Sequence, residues 1–152
     1  MQPPDVNKSE QKQIEAQGFR DFLNRKDETG INWVRRKKDG SCFFLGKENK
    51  CRIYSVRPAI CRLDPFTIAD YDYERNTIEL ELNFPASCSC VGVSDTETLP
   101  VEEISRAAQL MVRKIIALTA KELGTPKDDP RVAAETRSKI LRRAAALADL
   151  SP

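Results

Sequence analysis

DGSCFFLGKENKCRIYSVRPAICRLDPF, residues 39–66, holds Cys42, Cys51 and Cys61, three of the five cysteines in a chain of 152 residues. Eight and nine residues separate them, too far for side chains on one helix to meet, so only a folded-back segment brings the sulfurs together. Residues 42–46 (Cys-Phe-Phe-Leu-Gly) and 51–54 (Cys-Arg-Ile-Tyr) read as two short apolar strands around a polar turn at 47–50. Cys42 and Cys51 each head a strand, and they lie at the ends of one hairpin if the register allows it. Pro58 removes a backbone donor and stops the ladder. Residues 59–62 then read as one helical turn carrying the third sulfur, and Pro65 forces turn or extended geometry at Asp64. Arg52, Arg57 and Arg62 recur every five residues. Guanidinium groups beside a thiolate cluster would neutralise its charge and lower the thiol pKa values.

These residues resemble the YkgJ-like cysteine-cluster family of zinc- or iron-chelating proteins. The resemblance rests on Cys42, Cys51 and Cys61 with Tyr54, Arg57, Pro58, Arg62, Pro65 and Phe66, and it covers roughly the first 95 residues. It implies a cysteine-ligated metal site, an iron–sulfur cluster or zinc, in a small cytoplasmic protein. Some relatives are linked to methylation of flagellin lysines. Relatives usually carry a further cysteine group, including an adjacent pair, ahead of the first helix. This chain has none before Cys42, so either its start is shortened or the site relies on the five cysteines present.

Composition narrows the chemistry. The chain has no histidine, which excludes Cys/His zinc fingers, Cys–His nucleophile dyads and Ser-His-Asp triads together. A metal here rests mainly on sulfur, which suits tetrahedral zinc or an iron–sulfur cluster of the 4Fe-4S kind. Five cysteines are an odd number for a disulfide framework, and spaced cysteines in a reducing compartment point to metal or catalysis. Buried thiols or a single disulfide pair are the plain alternative, and a nucleophilic thiol activated by arginine is another. Charged residues make up 32% of the chain, yet the net charge is only +2, which makes no electrostatic case for nucleic acid. No apolar run is long enough to span a bilayer, and residues 1–5 do not read as a signal peptide. The expectation is a soluble, cytoplasmic protein.

The flanking sequence reads as support. Asn7-Lys8-Ser9-Glu10 is a helix-start signature, and Ile14, Phe19, Phe22 and Leu23 extend an apolar stripe that predicts a helix over 8–25, interrupted at Gly18. Ile31 to Val34 reads as a strand running into the basic residues 35–38, with Asp39-Gly40 turning it back into a hairpin with 42–46. The basic run reads as a solvated edge rather than a phosphate contact. Trp33 is expected to be partly buried. Period-two patterning over 67–73 and 77–82 around a turn at 74–76 predicts a second hairpin. Asp64, Asp70 and Asp72 could form a carboxylate site, but Asp70 and Asp72 share a strand face by period alone and read as its polar side.

Residues 83–93 read as a loop carrying Cys88 and Cys90. Cys90 is the preferred fourth ligand, because Gly92 lets backbone approach closely, and Cys88 is a spare ligand or a small buried residue. Thr98-Leu99-Pro100 opens a helix with Val101, Ile104, Ala108, Met111, Ile115 and Leu118 on one face, ending at Gly124. Asp129-Pro130 starts another through about residue 147, with Val132, Ile140, Leu141, Ala144 and Leu147 apolar and Arg137, Lys139, Arg142 and Arg143 outside. The pair should pack antiparallel.

The expected fold is α+β: a small antiparallel sheet of short hairpins with an N-terminal helix and a C-terminal antiparallel helix pair. A metal-binding domain over 1–97 and a helical pair over 98–152 are expected. The cofactor ligands would be Cys42, Cys51, Cys61 and Cys90, with Cys88 in reserve and Arg52, Arg57, Arg62 and Tyr54 around them. An iron–sulfur protein with a redox or accessory role, served by a protein or electron-transfer partner, is preferred. A structural zinc interaction module is the first alternative. A metal-dependent modifying enzyme related to lysine methylation is the second, although the chain shows no cosubstrate loop.

Overall fold

The structure is a computed structural model, and it describes residues 4–24, 32–82 and 99–148. The chain divides into two compact units, Met1–Cys61 and Arg62–Pro152. The mixed α and β architecture expected from the sequence forms, with two two-stranded antiparallel sheets among the described residues, an N-terminal helix and C-terminal helices. Among the described residues no helix is long and apolar enough to cross a membrane.

In the first unit, β1 (Asp5–Val6) leads into α1 (Lys8–Ala16). The cap forms as its signature predicts: the Asn7 side chain accepts from the Glu10 amide and the Glu10 carboxylate accepts from the Asn7 amide, both at 2.9 Å. The helix does not run to residue 25. It stops at Ala16, and Gly18 follows at φ +86°, a left-handed exit that glycine takes without strain. Beyond the helix the chain bends at Asp21, at φ +54°, and Leu23 then bridges Val34, while the amides of Asn24 and Arg35 donate to Trp33 and Phe22 carbonyls at 2.8 Å.

The expected strand at 31–34 forms as β2 (Asn32–Trp33), with Ile31 outside the described residues, but its ladder partner is β1, Asp5 opposite Trp33. The predicted hairpin of 31–38 with 42–46 reduces to one bridge, Arg36 to Cys42, around a turn with Gly40 at φ +81°. The predicted hairpin of 42–46 with 51–54 likewise reduces to a bridge between Leu45 and Cys51, and Tyr54 lies in a 3₁₀ turn (Tyr54–Val56) instead of a strand. Runs this short make too few ladder bonds to outweigh the tight turns that the chain forms instead. The helical turn expected at 59–62 does form, as α2 (Ala59–Leu63).

The first unit packs around Val6, Ile14, Phe22, Val34, Phe44 and Ile53. Phe44 is its hub, with ring centroids 5.3 Å from Phe19, 5.2 Å from Phe22 and 5.2 Å from Phe43, the first and last edge-to-face. Such pairs add attraction beyond the area they bury. Phe44→Ala should therefore cost about 3–5 kcal/mol, most of the stability of a unit this small. Urea unfolding followed by the fluorescence of Trp33, the single tryptophan, measures it.

The second unit opens with the expected hairpin, β3 (Phe66–Asp72) and β4 (Thr77–Leu82). Its register slips between Ile68 and Asp70, leaving Ala69 as an extra residue. Ile68 and Tyr71, three apart on β3, thus sit opposite Leu80 and Ile78, two apart on β4, and share one face. Asp70 and Asp72 fall together on the other, as period two predicts.

The two predicted helices form as α3 (Val101–Leu123), ended by Gly124 at φ +63°, and α4 (Pro130–Ala148), and they pack on one another. The Asp129 carboxylate accepts from the Arg131 amide at 2.9 Å, a cap ahead of Pro130 at the first helical position. The buried face of α3 is Ala107, Ala108, Met111, Val112, Thr119 and Ala120, which shares only Ala108 and Met111 with the predicted stripe. Val101 is 67% and Leu118 37% exposed. Small alanines let helices approach closely, so packing turns them inward at the expense of larger apolar neighbours. Leu141 of α4 is likewise exposed, while Val132, Thr136 and Ile140 are buried.

Asp70 is no metal ligand in reserve. Arg137 of α4 clamps it with two bonds, at 2.6 and 2.9 Å, and these hold its carboxyl below the ordinary carboxylate range. A carboxyl depressed in the folded state stabilises above its unfolded pKa and loses that contribution as pH falls through the folded one. Arg137 is half exposed, so Asp70→Asn should cost less than about 1 kcal/mol at neutral pH. Thermal unfolding of variant and parent should converge as pH drops below about 4.

Candidate metal centre

Cys42, Cys51 and Cys61 are all half-buried in the first unit and none is in a disulfide. Cys42 follows the Asp39–Gly40 turn, where the Asp39 carboxylate accepts from the Ser41 amide at 2.9 Å. Bonds from Ser41 hold that carboxyl below its usual range. Cys42 then turns the chain at once, its carbonyl accepting from Leu45 at 3.0 Å. Cys51 stands opposite Leu45 rather than opposite Cys42, so the register places the two cysteines at different levels of the loop. Both pack against the Phe44 core.

The third sulfur comes from α2. Pro58 and Ala59 are buried, the Cys61 amide donates to Pro58 at 2.9 Å, and the Ala59 amide donates to the Glu10 carboxylate at 2.8 Å. This tertiary bond from α1 is one that spacing around the cysteines did not disclose, although Glu10 itself was visible as a capping residue.

Of the arginines flanking the cysteines, Arg52 and Arg57 are held by aromatic rings and carbonyls. Arg52 donates to the Phe43 carbonyl at 2.8 Å and lies over the rings of Phe19 and Phe43, 5.2 and 5.6 Å from their centroids. Arg57 stacks 3.7 Å over Tyr54 and donates to its carbonyl at 3.1 Å, leaving Tyr54 66% exposed. Arg62 is half-buried on α2.

The donor chemistry suits a thiophilic ion: three half-buried sulfurs outside any disulfide, in a chain without imidazole. Their arrangement does not close on one, because among the described residues no group of three or more cysteines and carboxylates could hold a metal ion. Cys88 and Cys90 lie outside the described residues.

Gly46 controls the loop between the first two sulfurs. Its amide donates to the Lys50 carbonyl at 2.7 Å, and a methyl group added at Gly46 would stand 3.1 Å from that oxygen and 3.2 Å from Arg52 Cγ. Gly46→Ala should cost about 1 kcal/mol by overpacking and speed alkylation of Cys51, read by peptide mass spectrometry.

Residues 2–89 match a family model, CxxCxxCC, described as "putative zinc- or iron-chelating domain". The cysteines at 42, 51, 61, 88 and 90 include no adjacent pair and no CxxC spacing, so the chain departs from the motif for which the family is named. An uncharacterized protein of Methanocaldococcus jannaschii is 57% identical over 30 residues, a stretch covering 19% of this chain and 16% of the archaeal one. No solved structure matches the chain.

Proposed function

The chain belongs to this zinc- or iron-chelating family, and from that membership we propose that it is a cysteine-ligated iron–sulfur protein with a redox or accessory role, its ligands drawn from Cys42, Cys51 and Cys61. The observation that carries the reading is the state of these thiols: half-buried, outside any disulfide, and borne by a unit in which two of them rest on one core. With no histidine, and five cysteines where a cluster takes four, sulfur ligation is the chemistry the chain can supply. When bound, such a cluster supplies one-electron chemistry. The chain's own part is to hold thiolates and to exclude water with the aromatic group around Phe44.

Structural zinc is the second reading, and the size of the core favours it. Among the described residues six buried side chains form the core cluster of the first unit, and units near 60 residues are marginal without a staple. A structural metal would add its binding free energy to folding.

Metal content and the visible spectrum of protein purified without oxygen decide between them. Iron with sulfide and a brown colour, lost in Cys51→Ser and Cys61→Ser, is expected. Cys90→Ser tests the fourth ligand in the same way. Stoichiometric zinc without colour selects the second reading, with unfolding by chelator as its corollary. No metal in anaerobic protein overturns both.

A further inference from the structure

Glu10 uses both carboxylate oxygens, and only one is needed to cap its own helix. Oε2 accepts from the Asn7 amide at 2.9 Å, completing the cap of α1. Oε1 reaches 49 residues along the chain to accept from the Ala59 amide at 2.8 Å, in a buried bond. Glu10 is only 5% exposed, and a carboxylate at that depth is tolerated because its oxygens are matched. Ala59 is the first residue of α2, where an amide has no partner within the helix. Cys61 follows two residues later, on a turn closed by its own amide on Pro58. From the same helix α1, Ile14 enters the core against which Cys42 and Cys51 pack.

We infer that Glu10 is a positioning residue that sets the turn bearing Cys61 in the same frame as Cys42 and Cys51. The inference rests on the reading of Cys61 as a metal ligand, and it deepens that reading by naming the group outside the cysteine segment on which the third sulfur depends. Glu10→Gln keeps the shape of the side chain but turns one acceptor into an NH₂ donor, facing either Asn7 or Ala59. A neutral amide also bonds more weakly than a carboxylate at whichever position it keeps.

The test compares reduced, metal-free parent, Glu10→Gln and Asn7→Ala under a pulse of iodoacetamide, with modification mapped at each cysteine. Glu10→Gln should raise the rate at Cys61 about tenfold, the factor that a hydrogen bond to a charged group sustains, and leave Cys42 and Cys51 unchanged. Asn7→Ala weakens the cap of α1 but keeps the Ala59 bond, and should favour no single cysteine. With cobalt(II) as the probe ion, Glu10→Gln should lose the sulfur-to-cobalt absorbance of one thiolate. An unchanged Cys61 rate, or equal acceleration of all three, overturns the inference. Selective exposure of Cys61 in a chain that takes up no cobalt supports the positioning and defeats the metal reading. Should Glu10→Gln fail to fold, amide hydrogen exchange of the parent decides: slow exchange at Ala59 supports the bond and fast exchange overturns it.

Discussion

The contact of Phe44 with Phe19, Phe22 and Phe43 is the interaction on which the cysteine-bearing unit depends. Among the described residues the strands of that unit are two residues long or single bridges, so backbone pairing there contributes little cooperativity. Burial of aromatic surface has to hold the loops instead. Phe44 lies two residues after Cys42, and Phe43 carries Arg52, the residue after Cys51. Cores of this kind place cysteines through their neighbours in sequence.

Polar groups refine what the rings begin. A carboxylate joins α1 to α2 in the first unit, and a guanidinium joins α4 to β3 in the second. They differ in solvent access. The first is buried and matched by backbone amides; the second is open to water on the Arg137 side. By that difference alone, salt should weaken the contact of α4 with β3 and leave the tie between α1 and α2 little changed.

Where the sequence was legible, the signal was local. Asn7 and Glu10, Gly124, Asp129-Pro130 and the alternation over 67–73 and 77–82 each encode structure within a few residues, and the capped helix, the helix end, the helix start and the hairpin they predict all form. Gly18 was legible as an interruption, but only its positive φ makes it the end of α1. Between 31 and 54 the apolar runs are too short for periodicity to choose a partner, and the N-terminus took the edge of β2 that residues 42–46 were expected to fill. On α3, alanines outcompeted larger residues for the contact face, a choice made by the partner helix. The cysteine types pointed to sulfur chemistry. Their mutual placement did not follow from spacing, because Leu45 and not Cys42 faces Cys51.

The extra residue in β3 acts like a frameshift in a two-letter code. Up to Ile68 the even positions carry the face that meets Leu80 and Leu82; after Ala69 that role passes to the odd position of Tyr71. A homologue one residue shorter at this point could keep a regular ladder by losing the bulge, whereas a substitution at Ala69 leaves the frame as it is. Length variation here, more than residue identity, is what would decide which side of the hairpin a later residue occupies.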